Sequence, residues 1–220
     1  MCGRFTLSVE PEELVEQFGI DQPHNLAARY NIAPSQLVAV IARKADPTKR
    51  GLALLKWGLV PDWSHDGKLG PINARAETVS RLPTFSESFR EKRCIIPASG
   101  FYEWAMVGGR KVPHHFRLRS GKAMGFAGLW SRWDGESKKP LFTCCVITVP
   151  SNELLQPFHD RMPAILDPAD YAKWFDPDTH SPDLKALLKP YPAELMAEHE
   201  ANAKVNSPRN EGPELLDPAA

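Results

Sequence analysis

Short apolar runs, broken by prolines and polar loops, set the pattern of this chain. GRFTL at 3–7, QLVAVIAR at 36–43 and the segments 52–60, 94–104, 113–119, 123–130, 141–149 and 163–166 read as strands. The 21 prolines are spread throughout and keep these pieces short. Helical patterns are fewer. PEELVEQFG at 11–19 starts with Pro11, carries acidic residues early, shows Leu14, Val15 and Phe18 as an apolar stripe and ends on Gly19. DPADYAKWF at 167–175 offers Asp167 as N-cap with Pro168 behind it, and SPDLKALLK at 181–189 repeats the scheme with Ser181 and Pro182. A short helix at 84–91 pairs Phe85 with Phe89, and 193–205 has helical propensity. Strands come first and interleave with short helices rather than forming βαβ units. The expected fold is therefore α+β, a single domain over 1–220, mostly antiparallel β with short flanking helices.

Composition narrows the class. No stretch approaches the roughly 20 apolar residues of a membrane span, and Glu10, Glu12 and Glu13 arrive too early for an apolar signal region. A cytoplasmic location is expected. Twenty-seven basic residues balance 27 acidic ones, so a nucleic-acid partner would have to be met by a local basic groove. Of the four cysteines, Cys144 and Cys145 are neighbours on a strand and face opposite ways. No C-x-x-C spacing exists and no histidine has metal-ligand spacing, so neither a metal nor a cofactor is expected. No heptad or exposed helical seam is present, and the protein is expected to be a monomer.

Five stretches carry candidate chemistry. MCGRF places Cys2 directly after the start methionine; if Met1 is removed, Cys2 presents a thiol and an α-amine on adjacent carbons, with ordinary pKa values of roughly 8.5 and 8. In PINARAET at 71–78, an extended backbone would put Asn73, Arg75 and Glu77 on one face, an orienting amide beside a phosphate-binding guanidinium; a solvated strand face, or a strand end already turning into a helix, is the alternative. In IIPASGFYEW at 95–104, Glu103 lies among aromatic residues, where burial would raise its pKa toward that of a general acid or base; pairing with an arginine is the alternative. In PFHDRMPAIL at 157–166, His159 can shuttle protons, Asp160 can fix its tautomer and Arg161 can hold a phosphate, or the histidine can be merely structural. In LLKWGLVPDW at 54–63, Trp57 and Trp63 can stack on unpaired bases or serve as core residues.

Taken in order, MCGRF, RYNIAPSQ at 29–36, WGLVPDW at 57–63, NARAET at 73–78, CIIPASGFYEW at 94–104, GLW at 128–130, TVPSN at 148–152, HDRMPAIL at 159–166 and VNSPRN at 205–210 resemble the SRAP family over nearly the whole chain. This family is named for SOS-response-associated peptidases and is regarded as one of abasic-site processing proteins. The resemblance implies a barrel-like β core, removal of Met1, and covalent attachment to abasic sites in single-stranded DNA. It places the catalytic group on Cys2, Asn73, Glu103 and His159. Arg4 and Arg75 fall where the family holds DNA phosphates, with Arg161 and Arg209 as further cations. Asn31, Pro34, Trp57 and Gly58 fall near the DNA path. The rival readings are an N-terminal-nucleophile cysteine peptidase or amidase and a non-covalent single-strand-binding module.

Overall fold

The computed structural model describes residues 2–21, 26–44, 46, 49–135 and 139–218. Its strands are β1 (Phe5–Leu7), β2 (Arg29–Ile32), β3 (Leu37–Arg43), β4 (Arg50–Trp57), β5 (Asn73–Arg75), β6 (Arg93–Ala98), β7 (Gly100–Val107), β8 (Arg110–Leu118), β9 (Met124–Trp133), β10 (Leu141–Pro150), β11 (Arg161–Pro163), β12 (Ile165–Leu166) and β13 (Met196–Glu200). Its helices are α1 (Pro11–Phe18), α2 (Pro83–Glu91), α3 (Tyr171–Phe175) and α4 (Ser181–Leu187).

Five strands close on themselves. β4 pairs with β3, β3 with β6, β6 with β9 and β9 with β10, and β10 returns to β4. Closure leaves this ring without a free edge. The returning link is parallel, as is the pairing of β5 with β10; the others are antiparallel. A second, antiparallel sheet runs in the order β13-β8-β7-β1-β2. The two share one core. Phe5 of β1 meets Trp57 edge-on at 5.1 Å and Phe126 at 6.0 Å, and Phe101 of β7 meets Phe126 at 6.0 Å. Each such aromatic pair contributes about 0.5–1.5 kcal/mol beyond its buried area.

The run 94–104 is not one strand. It leaves the barrel at Ala98 and enters the second sheet at Gly100. The pivot is Ser99, whose N–H donates to Thr6 O at 2.8 Å and whose Oγ accepts from Ser8 N at 2.6 Å. Gly100 is required there, because a Cβ would stand 2.3 Å from His115 Nε2 and 2.6 Å from Phe116 O.

The helical propensity of 193–205 is overridden. After a 3-10 turn at 193–195, Met196–Glu200 pairs with β8. Met196 is buried, Glu198 bonds His114 Nδ1 and His199 bonds Leu216 O at 2.7 Å, so tertiary pairing decides the backbone. α1 follows its sequence pattern: Leu14 and Phe18 are buried and Gly19 closes it with φ 62°. Asp167 caps as expected, accepting from Ala169 N at 2.9 Å, but over a 3-10 turn that precedes α3. In α4 the cap position is His180, one residue before Ser181, with no side-chain capping bond. Cys94, Cys144 and Cys145 are buried free thiols. Among the described residues no helix is long and apolar enough to cross a membrane.

Candidate active site

Cys2 reaches the interior because the strand behind it is central. β1 lies between β2 and β7, so Gly3 and Arg4 are drawn against both. The Arg4 carbonyl accepts from Tyr102 N at 2.9 Å. Its guanidinium donates from Nη1 to Asn31 Oδ1 at 2.6 Å and to Val205 O at 2.7 Å, and lies 5.8 Å from the Trp104 ring. On the other side, Asn73 Nδ2 donates to the Cys2 carbonyl at 2.9 Å. Cys2 is thereby held from two directions and is fully buried. Burial, and next the charge of Glu103, push its thiol far above the ordinary range; the chain's amino terminus and an N–H from Arg4 only partly oppose them.

Asn73 hangs from β5, whose parallel pairing with Val146–Thr148 of β10 fixes its direction. Its Oδ1 is buried and lacks a hydrogen-bond partner among the described residues, an acceptor that polar ligand atoms can fill. Glu103, 5% exposed on β7, is raised above the usual carboxylate value, first by burial and also by Asp160; the positive amino terminus works against this. His159 follows a turn in which Leu155 N donates to Asn152 Oδ1 at 3.0 Å and His159 N to Leu155 O at 3.1 Å. Its Nδ1 accepts the Arg161 backbone N–H at 2.9 Å and also lies 2.8 Å from Asp160 Oδ1. These two contacts exclude each other: the first needs a bare nitrogen, the second a protonated one. Burial, then the amino terminus, and also Arg161 lower its pKa, while Asp160 opposes them. Cys2, Glu103 and His159 thus share one electrostatic neighbour, the chain's amino terminus. Met1 itself lies outside the described residues.

The polar face expected across 73–77 stops at Arg75. Val79 N and Thr78 N both turn back to Arg75 O, at 2.9 and 3.1 Å, so the extended backbone ends there. Arg75 is exposed; Glu77 swings to Arg161, with Nη1–Oε1 at 2.5 Å and Nη2–Oε2 at 2.9 Å. Arg161 also donates to Thr148 O at 2.6 Å, which commits its fork to the protein. Asn31 is buried as well; its Nδ2 donates to the carbonyls of Ser207 and Asn210 at 2.9 and 2.8 Å, clamping the VNSPRN segment. Trp57 is a core residue whose Nε1 donates to Ile72 O at 2.9 Å, while Trp63 is exposed. Gly58 follows it with φ 139°, and Pro34 is half-buried in a turn where Ser35 takes φ 69°. Arg209 is exposed on the clamped segment.

Two neighbours escaped the sequence reading. His114 is the cross-strand partner of Glu103, bonds Glu198 and packs its ring 4.6 Å from Phe158, the residue before His159. Trp104 donates to Asn206 Oδ1 at 2.6 Å and carries Arg4. The alternation of β8 was the available signal for His114, since it turns that residue away from His115 and toward the Glu103 side. Among the described residues no cluster of histidine, cysteine or acidic side chains has the geometry to hold a metal.

A closed β-barrel backed by a second sheet, with a buried cysteine second in the chain near an amide and a carboxyl group, defines an α+β protein with one candidate site at the head of its chain. The chain belongs to the SOS response associated peptidase (SRAP) family, whose sequence profile matches residues 1–208. It is 43% identical over 224 residues to the abasic site processing protein YoqW of Bacillus subtilis, covering 99% of both chains. It is 28% identical to the abasic site processing protein HMCES of Xenopus tropicalis, covering 98% of this chain and 78% of that one. A crystal structure of a protein from Bacteroides thetaiotaomicron matches with a TM-score of 0.87 at 25% identity over the whole of both chains.

Proposed function

We propose that this protein processes abasic sites in single-stranded DNA by trapping them on Cys2 after Met1 has been removed. Abasic deoxyribose exposes a small fraction of open aldehyde. The α-amine of Cys2 adds to that carbon and water leaves, giving a Schiff base. The thiol then adds across the C=N bond, sulfur to carbon and its proton to nitrogen, and a five-membered thiazolidine closes. The second step is intramolecular, so the thiol acts at a very high effective concentration.

Glu103 takes and returns protons through carbinolamine formation and loss of water, a task suited to a carboxyl with a raised pKa. His159, neutral through Arg161's N–H on Nδ1, assists sugar-ring opening from its Nε2 side and supports reversal of the link. Asn73 holds the Cys2 carbonyl and keeps Oδ1 for the sugar or the ring nitrogen. Arg75 and Arg209 supply exposed phosphate contacts, and the half-buried Arg4 adds its positive charge. Asn31, Pro34, Trp57 and Gly58 form the wall behind them. An imine that persists before ring closure permits β-elimination at the 3′ phosphate, so weak lyase activity belongs to the same site.

One observation carries this reading over a cysteine peptidase. A Cys–His peptidase needs a thiolate stabilised by an imidazolium. Here burial and Glu103 raise the Cys2 thiol while His159 is lowered, which works against such a pair, and no bond joins them among the described residues. Addition to an imine needs no imidazolium, because Glu103 can take the thiol proton as sulfur attacks carbon.

The test is a denaturing gel with single-stranded DNA carrying one abasic site, using mature protein, Cys2→Ala and a form with one residue ahead of Cys2, each N-terminus confirmed by mass. A boiling-stable shifted band for the mature protein alone is expected. A free Cys2 terminus that gives no band refutes the proposal.

A further inference from the structure

Three arginines, Arg43, Arg50 and Arg93, stand together away from Cys2. Arg43 and Arg50 stand directly opposite each other across β3 and β4, an arrangement that is unfavourable for like charges. Arg93, 6% exposed, lies beside them, and Arg43 and Arg93 line one cavity of about 180 Å³ with Trp130 and Phe175. The Arg93 guanidinium donates only to backbone carbonyls: Trp174 at 2.7 Å, Phe89 at 2.8 Å, Arg90 at 2.5 Å and Asp176 at 2.6 Å. Arg50 donates to Phe18 O at 3.2 Å and lies 4.8 Å from the Phe175 ring. Arg43 has no side-chain hydrogen bond or ion pair among the described residues.

The nearby acids are otherwise engaged. Glu91, on the cavity wall, pairs with Arg90 at 2.9 Å, and Asp21 pairs with Lys44 at 2.5 Å. The Asp176 carboxylate accepts from Asp178 N and Thr179 Oγ1, and from that position still attracts Arg93. Burial, and then the charge of Arg43, hold the Arg93 guanidinium below the ordinary arginine value. The four carbonyls commit the Arg93 fork to the protein, whereas the half-buried Arg43 keeps its own fork for an oxyanion, which Arg93 attracts by charge. The planar fork of arginine fits phosphate oxygens in pairs.

Beside the cavity lies a trough of about 310 Å³ that shares Arg43, Lys44 and Trp130 with it. Gly51, Ala53 and Ala42 keep the trough floor low, and Trp130 and Phe142, with ring centroids 6.3 Å apart, stand on its side. Phe142 is 39% exposed. A ligand that suits both parts carries a phosphate at one end and a flat, largely apolar ring at the other, and aromatic side chains hold bases by stacking.

We propose that the Arg43–Arg93 cavity and the Trp130–Phe142 trough form a nucleotide-binding site, with phosphate on Arg43 and base against the aromatic pair. It shares no residue with the Cys2 group and stands independently of the function proposed above. The phosphate belongs either to a free nucleotide or to an undamaged stretch of single strand.

Calorimetric titration of the Cys2→Ala protein, which removes covalent capture, tests this with inorganic phosphate, thymidine, thymidine 5′-monophosphate and an intact oligothymidylate. The monophosphate is expected to bind at least tenfold tighter than phosphate or thymidine. Arg43→Gln, whose folding is checked by its melting temperature, should weaken it at least tenfold, Arg43→Lys should be intermediate, and Trp130→Leu should reduce it to the level of phosphate. An oligomer tighter than the monophosphate identifies a strand as the ligand; equal binding identifies the free nucleotide. Absence of saturable binding, equal binding by Arg43→Gln, or phosphate binding as tightly as the monophosphate overturns the assignment. With Cys2 intact, Arg43→Gln should trap abasic DNA at the unaltered rate, so failure here and failure of the Cys2 reading are separable.

Discussion

Glu77→Gln tests how the His159 segment is held. The Glu77 carboxylate takes two charge-assisted bonds from Arg161, at 2.5 and 2.9 Å, and Arg161 is 7% exposed. Removing one partner of a fully buried pair costs about 3–5 kcal/mol, whereas exposed pairs contribute about 0–1 kcal/mol. The Glu77 side chain is 48% exposed, so water screens one half of the pair and the cost falls between these limits. Glutamine keeps one acceptor oxygen but opposes the second N–H with its own NH₂, which sets the expected loss at about 2 kcal/mol. Urea unfolding followed by tryptophan fluorescence at pH 7 should show a lower midpoint with an unchanged slope. The pH dependence adds a second signature. Hydrogen bonding to Arg161, the largest influence, holds the Glu77 carboxyl below its ordinary value, so the unfolded chain takes up the proton first. The pair's contribution is complete above the unfolded value of about 4.3 and disappears as pH falls through the lower folded value. Parent and variant curves should therefore converge in acid. Because the Arg161 N–H also sets the His159 tautomer, abasic-DNA capture should slow as well. A variant within about 0.5 kcal/mol of the parent at pH 7, or a gap that persists in acid, refutes the reasoning.

Three further outcomes are expected. Glu103→Gln should lower the rate of capture by about 100-fold or more and flatten its rise with pH, since the parent rate should climb as the raised carboxyl ionises; single-turnover kinetics across pH 4–8 would expose a variant that keeps the parent profile. Gly100→Ala sets a Cβ 2.3 Å from His115 Nε2 and should cost about 1–3 kcal/mol, read as a drop in melting temperature, with no change meaning that His115 moves freely. His115 is held down to about 3, first by burial and then by the charges of His199 and Arg117. Its ordinary value is about 6.5, so the unfolded state binds the extra proton below that pH and stability falls at up to about 1.4 kcal/mol per pH unit on acidification; His115→Gln should remove this slope between pH 6 and 5.

The sequence displayed most of the barrel because its strands are apolar on one or both faces and bounded by turn residues. β9 and β10 lie within one to three residues of their expected ends. β2, β5 and β13 were hidden for different reasons. β2 is a four-residue strand whose Asn31 side chain serves as a clamp, β5 is three residues long, and β13 is Met-Ala-Glu-His-Glu, a helical composition that pairing with β8 overrules. At the candidate site the residues were legible individually, Glu103 most of all, because a carboxylate among aromatic residues announces its own burial. Which arginines remain free was not legible. Arg161 and Arg75 sit in equally polar segments, and only the turn after Arg75 sends Glu77 to one of them. Trp57 and Trp63 likewise look alike in sequence, but one lies inside a barrel that closes between distant strands.

The bond from Arg4 to Val205 spans 201 positions of chain. During synthesis the N-terminal end of a chain emerges first, at about 5–20 residues per second. Arg4 must wait for Tyr30 and Asn31, then for Tyr102, and finally for the 205–210 segment before its surroundings exist. For most of its time on the ribosome, roughly 10–40 s at that rate, the end carrying Cys2 has no pocket to enter. Under the proposed mechanism, trimming of Met1 has its window before these contacts form, and burial of the Cys2 thiol follows the synthesis of residues 205–210.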